Sequence, residues 1–177
     1  MKILKIFLSW MGAFMAAAPL TGSLFDYELK TIDGASMPLS SYKGKAKAIL
    51  LVNTASKCGF TKQYVQLEEL YQLYKDRGLI IIGVPSNDFL NQEPGTDAEI
   101  KTFCELNYQI TFPLTQKIHV AKKDVDPLYQ WLAGHRKPKW NFHKYLFDKN
   151  GYLIEDYFSV TDPLNKNLCD KIEELLS

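Results

Sequence analysis

Two short apolar runs flank a segment with helical spacing in the first half of the chain. The runs at residues 46–53 (AKAILLVN) and 79–84 (LIIIGV) contain almost no polar alternation, which is typical of strands buried on both faces. Between them, apolar residues recur at helical intervals from about Thr61 to Gly78. The apolar stripe consists of Val65, Leu67, Leu70, Tyr71, Leu73 and Tyr74. A strand, a helix and a second strand in this order predict a right-handed βαβ unit with parallel strands.

The second half of the chain predicts three more helices and a hairpin. The predicted starts of these helices are the Thr96-Glu99 capping box, Asp126-Pro127 and Asp162-Pro163. The hairpin joins residues 145–147 to residues 152–154 through a loop whose Asn and Gly tolerate positive φ. A βαβ half followed by a hairpin and a helix predicts an α/β protein with a thioredoxin-like fold, in which a central mixed β-sheet is flanked by helices on both faces.

The first 23 residues differ in pattern from the rest of the chain. Residues 1–5 carry two lysines and no acid, residues 6–18 carry no charge, and Pro19 interrupts the run. A helix of residues 6–18 would span about 20 Å, which is less than the ~30 Å of a bilayer core. We therefore predict a secretory signal peptide over residues 1–23, cleaved after Ser23, with an uncleaved anchor as the alternative.

Such a leader predicts a protein exported to a periplasm or secreted, with residues 24–177 forming a single domain. If the leader does not function, the protein stays cytoplasmic. Export to an oxidising compartment also permits a pair of thiols to rest as a disulfide.

Composition and charge exclude several classes of protein. Hydrophobic residues make up 46% and charged residues 23% of the 177 residues, a balance typical of one globular domain rather than of a disordered or polytopic membrane protein. The chain has 21 Lys and Arg and 20 Asp and Glu. This net charge is too small for a protein that binds nucleic acid through its phosphates. The three cysteines and three histidines have no zinc-ligand spacing. We predict no nucleic-acid partner, no metal and no cofactor.

Cys58 is the first candidate for chemistry. It follows the first buried strand and precedes a helix, at the edge of a parallel sheet where ligand crevices open. The positive end of the helix dipole and the adjacent Lys57 favour a thiolate. Gly59 permits close approach of the backbone to a group bound at the sulfur. Position alone leaves open that Cys58 is a buried structural cysteine.

Three separated motifs carry a family resemblance. Residues 52–61 (VNTASKCGFT), 83–95 (GVPSNDFLNQEPG) and 139–146 (KWNFHKYL) follow one another along the chain. They resemble the glutathione peroxidase motifs N-V-A-S-x before the reactive residue, G-F-P-C-N-Q-F-G-x-Q-E-P-G and W-N-F-x-K-F-L. In the first motif the only departure is Thr54 in place of Val. The resemblance extends from about Leu24 to the end of the sequence and implies a cysteine-containing peroxidase.

The resemblance implies a catalytic tetrad. Cys58 matches the peroxidatic residue, and Gln92, Trp140 and Asn141 match the other three members. An amide NH₂ group and an indole N–H are neutral donors, able to stabilise a thiolate and then the oxygen that leaves when it attacks a peroxide. Taken singly, Gln92 would be a solvated loop residue, Trp140 a core aromatic residue and Asn141 a turn former.

The sequence departs from the family at two more positions and carries a basic cluster. Ser86 stands where many members have Cys, and Asp88 stands where they have Gln. Asp88 is expected to bring a carboxylate near the crevice and to disfavour a thiolate at Cys58. The basic cluster consists of His135, Arg136, Lys137, Lys139, His143 and Lys144. It is either a solvated surface or a positive rim that favours a thiolate or an anionic substrate or partner.

Cys104 has two interpretations. Helical spacing puts it on the apolar face of the helix from Asp97 to Tyr108, which is a core position. Residues 103–113 (FCELNYQITFP), however, resemble family members in which this cysteine resolves the sulfenic acid. A disulfide requires Cα atoms within about 7 Å, so a helical Cys104 would have to unwind locally to reach Cys58. Cys169 is predicted only to pack.

The resemblance implies a thiol peroxidase that reduces hydrogen peroxide and organic or lipid hydroperoxides. A Cys58 sulfenic acid would condense with Cys104, and a thioredoxin-like protein would reduce the disulfide; direct reduction by glutathione, with a passive Cys104, is the alternative. Only seven residues separate Leu132 from Trp140, so the subunit-contact insertion of tetrameric members is missing. This implies a monomer with an open face that suits lipid peroxides at a membrane or a protein reductant.

Two other functions compete with peroxidase activity. One is a peroxide sensor or oxidant relay that passes its disulfide to a client protein. The other is a thioredoxin-fold binding module with an inert thiol.

Overall fold

The structure is a computed structural model that describes residues 21–177. The strands are β1 (Glu28–Lys30), β2 (Ser36–Pro38), β3 (Ala48–Thr54), β4 (Leu79–Pro85), β5 (Lys144–Asp148) and β6 (Leu153–Tyr157). The helices are α1 (Gln63–Tyr74), α2 (Asp97–Tyr108), α3 (Pro127–Ala133) and α4 (Lys166–Leu176). Short 3₁₀ helices lie at Leu24–Asp26, Leu39–Tyr42 and Lys75–Arg77.

Four strands form the central sheet, in the order β4-β3-β5-β6. β3 pairs in parallel with β4 and antiparallel with β5, and β5 pairs antiparallel with β6. β1 and β2 form a separate antiparallel hairpin. The parallel β3-α1-β4 unit was predicted from the apolar runs and the mixed sheet from that unit followed by a hairpin, and the structure confirms both.

Helices cover both faces of the sheet. α1, α2 and α4 contribute to the core on one face, and α3 with the N-terminal segment contributes to the core on the other. All seven residues of β3 are buried, which explains why its sequence lacks polar alternation. The predicted thioredoxin-like α/β class is therefore confirmed.

The exposed side of α1 differs from the prediction. Val65 and Leu73 were assigned to the apolar stripe, but their exposed fractions are 56% and 58%. The buried residues of α1 are Gln63, Tyr64, Leu67 and Leu70. The helix buries a polar residue at its first position because Gln63 donates to the Ser159 carbonyl and accepts from a buried lysine, so apolar spacing alone misplaced this face.

The last helix begins later than predicted. Asp162-Pro163 was taken as its start, but α4 begins at Lys166 with Asn165 as its N-cap. Asp162 caps a preceding turn by accepting from the Leu164 N–H (2.8 Å). Leu164 therefore lies outside the helix, and the Asn165 side chain caps the helix by accepting from the Asn167 N–H (3.0 Å).

The predicted signal peptide falls largely outside the described residues, which begin at Thr21. Two residues before its predicted cleavage point contact the domain: the Trp131 indole N–H donates to the Thr21 carbonyl (2.8 Å), and the Ser23 hydroxyl donates to the Asn150 carbonyl (2.8 Å). Cleavage after Ser23 would remove these contacts. Among residues 21–177, no helix has the length and apolar character needed to cross a membrane.

Candidate active site

Cys58 lies in the loop between β3 and α1, here called the Cys58 loop (residues 55–62). Its half-buried sulfur accepts a hydrogen bond from the Phe60 N–H (3.4 Å). Thr61 closes the loop, because its hydroxyl accepts from the Cys58 N–H and donates to the Ala55 carbonyl, both at 2.9 Å. The loop therefore presents a sulfur that has a donor and is reachable from solvent.

Gln92 lies in the loop after β4, here called the Gln92 loop (residues 86–96). Two consecutive left-handed residues, Leu90 with φ 51° and Asn91 with φ 53°, bend it sharply. Such a conformation is uncommon for leucine and costs energy, and residues of this kind cluster at functional sites. After the bend, the Gln92 carbonyl accepts from the Lys57 N–H (2.9 Å). This bond joins the Gln92 loop to the residue that precedes Cys58.

The third loop, here called the Trp140 loop (residues 134–143), is held by the carboxyl end of β3. The Asn53 side chain donates to the Trp140 carbonyl (3.0 Å), and the Asn53 backbone bonds to Phe142 and His143. Phe142 has φ 63°, so this loop also contains a strained residue. A buried asparagine at the end of a strand thus fixes the backbone on both sides of Asn141.

A side-chain hydrogen bond closes the site between two of these loops. Asn141, which is fully buried, donates through Nδ2 to Gln92 Oε1 (2.9 Å). Because this bond occupies the acceptor end of the Gln92 amide, its NH₂ group is left as the donor. The Trp140 ring packs on Phe89 at a centroid separation of 5.7 Å. The structure therefore brings together the loops that carry all four predicted tetrad residues.

A buried lysine also contacts the Trp140 loop. Lys144, the first residue of β5, is fully buried and donates to the Phe142 carbonyl and to Gln63 Oε1, both at 2.8 Å. Both acceptors are neutral, so burial lowers the pKa of Lys144 to about 7, and the negative charge of Asp162 offsets only part of that effect. Lys144 ties the strained Phe142 to the first turn of α1.

The buried Lys144 predicts a specific pH dependence of stability. Between pH 7 and about 10 the unfolded chain keeps the lysine proton and the folded protein does not, so the free energy of unfolding rises with pH. The contribution is at most about 1.4 kcal/mol per pH unit. Urea unfolding at pH 7, 8 and 9 should show this rise in the unsubstituted protein and lack it in Lys144→Met.

Lys47→Met is the matched control for that experiment, because Lys47 also donates to a backbone carbonyl, that of Leu176 (2.8 Å), but is exposed. Its stability curve should run parallel to that of the unsubstituted protein. A Lys144→Met curve that also runs parallel would contradict the assignment of the pH dependence to Lys144.

Cys104 occupies the core position that its helical spacing predicts. It is fully buried in α2, and burial raises the pKa of its thiol to about 11. The structure has no disulfide between Cys104 and Cys58, and both thiols are free. Cys169 is half-buried at the edge of the same core, which agrees with a packing role.

Asp88 does not act as expected from its place in the motif. It is buried and accepts hydrogen bonds from the backbone N–H groups of Val120, Ala121 and Lys122, and it pairs with His119 (2.7 Å). Although burial opposes it, these hydrogen bonds lower the pKa of Asp88. Its charge is thus compensated by the loop that it anchors rather than directed at Cys58.

The basic cluster is not one surface. His135, Arg136 and His143 all contact Asp156, at 2.9–3.0 Å. His143 and Lys144 are fully buried, whereas Lys137 and Lys139 are exposed. Three of the six side chains therefore contact one carboxylate, and neither a single solvated face nor a single positive rim describes the cluster.

Three buried polar residues at the site were not singled out as individual residues from the sequence. They are Asn53, Glu93 and Lys144. They lie inside the three motifs that were recognised, and a polar residue at the end of a buried strand or next to a candidate catalytic position is the signal that points to Asn53 and Glu93. Among residues 21–177, no group of three or more His, Cys, Asp or Glu side chains is arranged to hold a metal ion.

Comparison with known proteins shows the family of the chain. A family model described as glutathione peroxidase matches residues 24–133. The chain belongs to the glutathione peroxidase family. Its reactive position is occupied by cysteine, so it is a member of the cysteine type and a peroxidase.

Similar proteins cover nearly the whole domain. A glutathione peroxidase-like peroxiredoxin of Schizosaccharomyces pombe is 50% identical over 158 residues, which is 86% of this chain and 98% of that protein. A hydroperoxy fatty acid reductase of Synechocystis is 37% identical over 171 residues, 90% of this chain and 99% of that protein. The crystal structure of Trgpx in its apo form superimposes with a TM-score of 0.70 at 36% identity, covering 88% of this chain and 96% of that one.

Proposed function

We propose that this glutathione peroxidase family member reduces hydroperoxides with Cys58 as the attacking residue and with Gln92, Trp140 and Asn141 as its donors. The observation that carries this proposal is the junction of the three loops. The Asn141 to Gln92 side-chain bond and the Lys57 to Gln92 backbone bond are each 2.9 Å long. They join Asn141 to Gln92, and Gln92 to Lys57, the residue that directly precedes Cys58.

In the first step the Cys58 thiolate attacks the terminal oxygen of the hydroperoxide. A sulfur–oxygen bond forms, the oxygen–oxygen bond breaks, and the second oxygen leaves as alkoxide or hydroxide that takes up a proton. Cys58 is oxidised to the sulfenic acid, and the peroxide is reduced to an alcohol or water. Fixed neutral donors lower the barrier because they stabilise charge as it moves from sulfur to oxygen.

Cys104 completes the proposed cycle by forming a disulfide with Cys58. A thioredoxin-like protein then reduces the disulfide, and glutathione as direct reductant is the second route. Because Cys104 is buried in a complete helix, this step requires α2 to unwind locally. Stopped-flow consumption of peroxide with thioredoxin or glutathione as the sole reductant tests the cycle, and no turnover with either would contradict it.

The proposed substrates are hydrogen peroxide and organic or lipid hydroperoxides. The segment between Leu132 and Trp140 is short, and Leu90, two residues before Gln92 in the Gln92 loop, is 72% exposed. An exposed apolar side chain in this loop suits the alkyl chain of a lipid hydroperoxide or transient contact with a membrane that contains one. The similarity to a hydroperoxy fatty acid reductase supports this substrate class.

We also propose that the protein is a monomer.

We propose export for the full chain, because residues 1–18 have the charge and hydropathy of a leader. Expressed in a bacterium, the protein should be recovered outside the cytoplasm with its N-terminus at or near Leu24. Intact mass and N-terminal sequencing of each fraction measure this. Cytoplasmic protein that retains Met1 or Lys2 would contradict export, and replacement of Ile6 and Phe7 by Asp is the control that should retain the chain in the cytoplasm.

A further inference from the structure

A cavity lies between the Cys58 loop and α2. Its volume is about 400 Å³. Ser56 and Lys57, which directly precede Cys58, form one wall, and Ile100 and Phe103 of α2, close to Cys104, form the other. The cavity therefore occupies the space between the two segments that have to approach each other when Cys58 and Cys104 form a disulfide.

Glu93 lines this cavity and is not used in the first step. The residue is fully buried, and neither carboxylate oxygen has a hydrogen-bond partner of good geometry among residues 21–177. The nearest donors are the hydroxyl and the backbone N–H of Ser56, which favour the carboxylate but do not offset its burial. A carboxyl buried with so few donors is costly, so its retention next to an active-site loop calls for a functional explanation.

Cys104 needs a base to lose its proton, and Glu93 is suited to that role. The negative charge of Glu93 is near enough to raise the pKa of Cys104, which burial raises to about 11. A thiol in that state does not ionise at neutral pH without a base. Burial raises the pKa of Glu93 itself to about 7, and Ser56, Lys117 and Lys57 only partly oppose this. A base with this pKa is suited to proton transfer near neutral pH.

We propose that Glu93 is the general base that removes the Cys104 proton when Cys104 resolves the Cys58 sulfenic acid. The Cys104 sulfur attacks the Cys58 sulfur, a sulfur–sulfur bond forms, and the sulfur–oxygen bond of the sulfenic acid breaks. The Cys104 proton passes to the Glu93 carboxylate and then to the leaving hydroxide, which departs as water. Cys104 is oxidised, Cys58 is reduced from the sulfenic acid, and Glu93 returns to the carboxylate.

This inference rests on the proposed resolution by Cys104, and its test begins there. One equivalent of hydrogen peroxide is added to the reduced protein, the reaction is stopped by alkylation at successive times, and the Cys58–Cys104 linked peptide is quantified. If the unsubstituted protein forms no such peptide, both the proposed cycle and the role of Glu93 are contradicted. This result is obtained before any variant is made.

Glu93→Gln then tests the base. The amide keeps the size of the side chain and cannot accept the proton, so the linked peptide should form about 100-fold more slowly at pH 7.5. In the unsubstituted protein the rate should rise with pH and level off above about 7, and this inflection should be absent from Glu93→Gln. An equal rate with the same pH profile in both proteins would overturn the proposal.

A matched control and a chemical rescue separate base catalysis from a structural effect. Glu105 is an exposed carboxylate on α2 whose charge also raises the pKa of Cys104, so Glu105→Gln should keep the rate within about threefold of the unsubstituted protein. Glu93→Ala enlarges a cavity that already has room for a small carboxylate. Acetate, but not chloride at the same ionic strength, should restore at least a tenfold gain in rate. A slow Glu93→Ala that acetate does not accelerate would assign Glu93 a structural role instead.

Discussion

Cys104→Ser should still consume about one equivalent of peroxide but should lose turnover with thioredoxin. The first attack needs only Cys58 and its donors, so the sulfenic acid should form and then accumulate and overoxidise. Without a partner thiol there is no intramolecular disulfide for a reductase to attack. Stopped-flow peroxide consumption measures the first step, and steady-state turnover with thioredoxin measures the second.

The controls for this prediction use the other two cysteines. Cys58→Ser should abolish both steps, and Cys169→Ser should change neither, since Cys169 lies half-buried at the edge of the core. Because Cys104 is fully buried, Cys104→Ser is also expected to lower the free energy of unfolding by about 1–2 kcal/mol. Cys104→Ala, which buries no hydroxyl, checks that the loss of turnover does not come from this destabilisation. Full thioredoxin-dependent activity in both variants would show that Cys104 only packs.

The central elements of the fold could be predicted because their sequences have a single interpretation. β3 and β4 are short, apolar on both faces and separated by a helix, which leaves a parallel pair as the outcome. The capping box at Thr96 and Glu99 fixed the start of α2 at Asp97, as the structure confirms. For these elements the local sequence pattern was sufficient for the prediction.

Errors arose where tertiary contacts decided the local structure. Gln63 is buried at the start of α1 because it bonds to Ser159 and Lys144, which are distant in sequence, and no apolar period contains that information. Lys144 was taken as part of a basic surface cluster because neighbouring positions are basic. Its burial follows from its position as the first residue of the central strand β5, which only the sheet register reveals.

The candidate site was predictable as a set of motifs but not as a geometry. Matching positions identified Cys58, Gln92, Trp140 and Asn141. Only the structure shows which residues hold the three loops together. The left-handed pair Leu90 and Asn91, the strained Phe142 and the buried Asn53 arrange the three loops. Side chains that position others rarely differ in type from ordinary loop or strand residues, so sequence reasoning had little to distinguish them.

Asn141→Ala should slow the oxidation of Cys58 by about 100-fold while leaving the protein folded. The substitution removes the donor to Gln92 Oε1, so the Gln92 amide loses its fixed orientation together with the Asn141 NH₂ group. Removal of one fixed donor at a site of developing charge costs about 10²–10³-fold in rate. The second-order rate constant for sulfenic acid formation, followed by stopped flow with hydrogen peroxide, is the quantity to measure.

The hydrogen bond between Asn141 and Gln92 also predicts non-additive effects. If the two side chains act as one unit, Gln92→Ala combined with Asn141→Ala should be little slower than either single variant, because each already disrupts the pair. Asn107→Ala is the matched control, since Asn107 is exposed on α2 and its amide donates only to the Phe103 carbonyl (2.9 Å). A fully multiplicative loss in the double variant would mean that the two amides act independently, and an unchanged rate constant in Asn141→Ala would remove Asn141 from the proposed catalytic group.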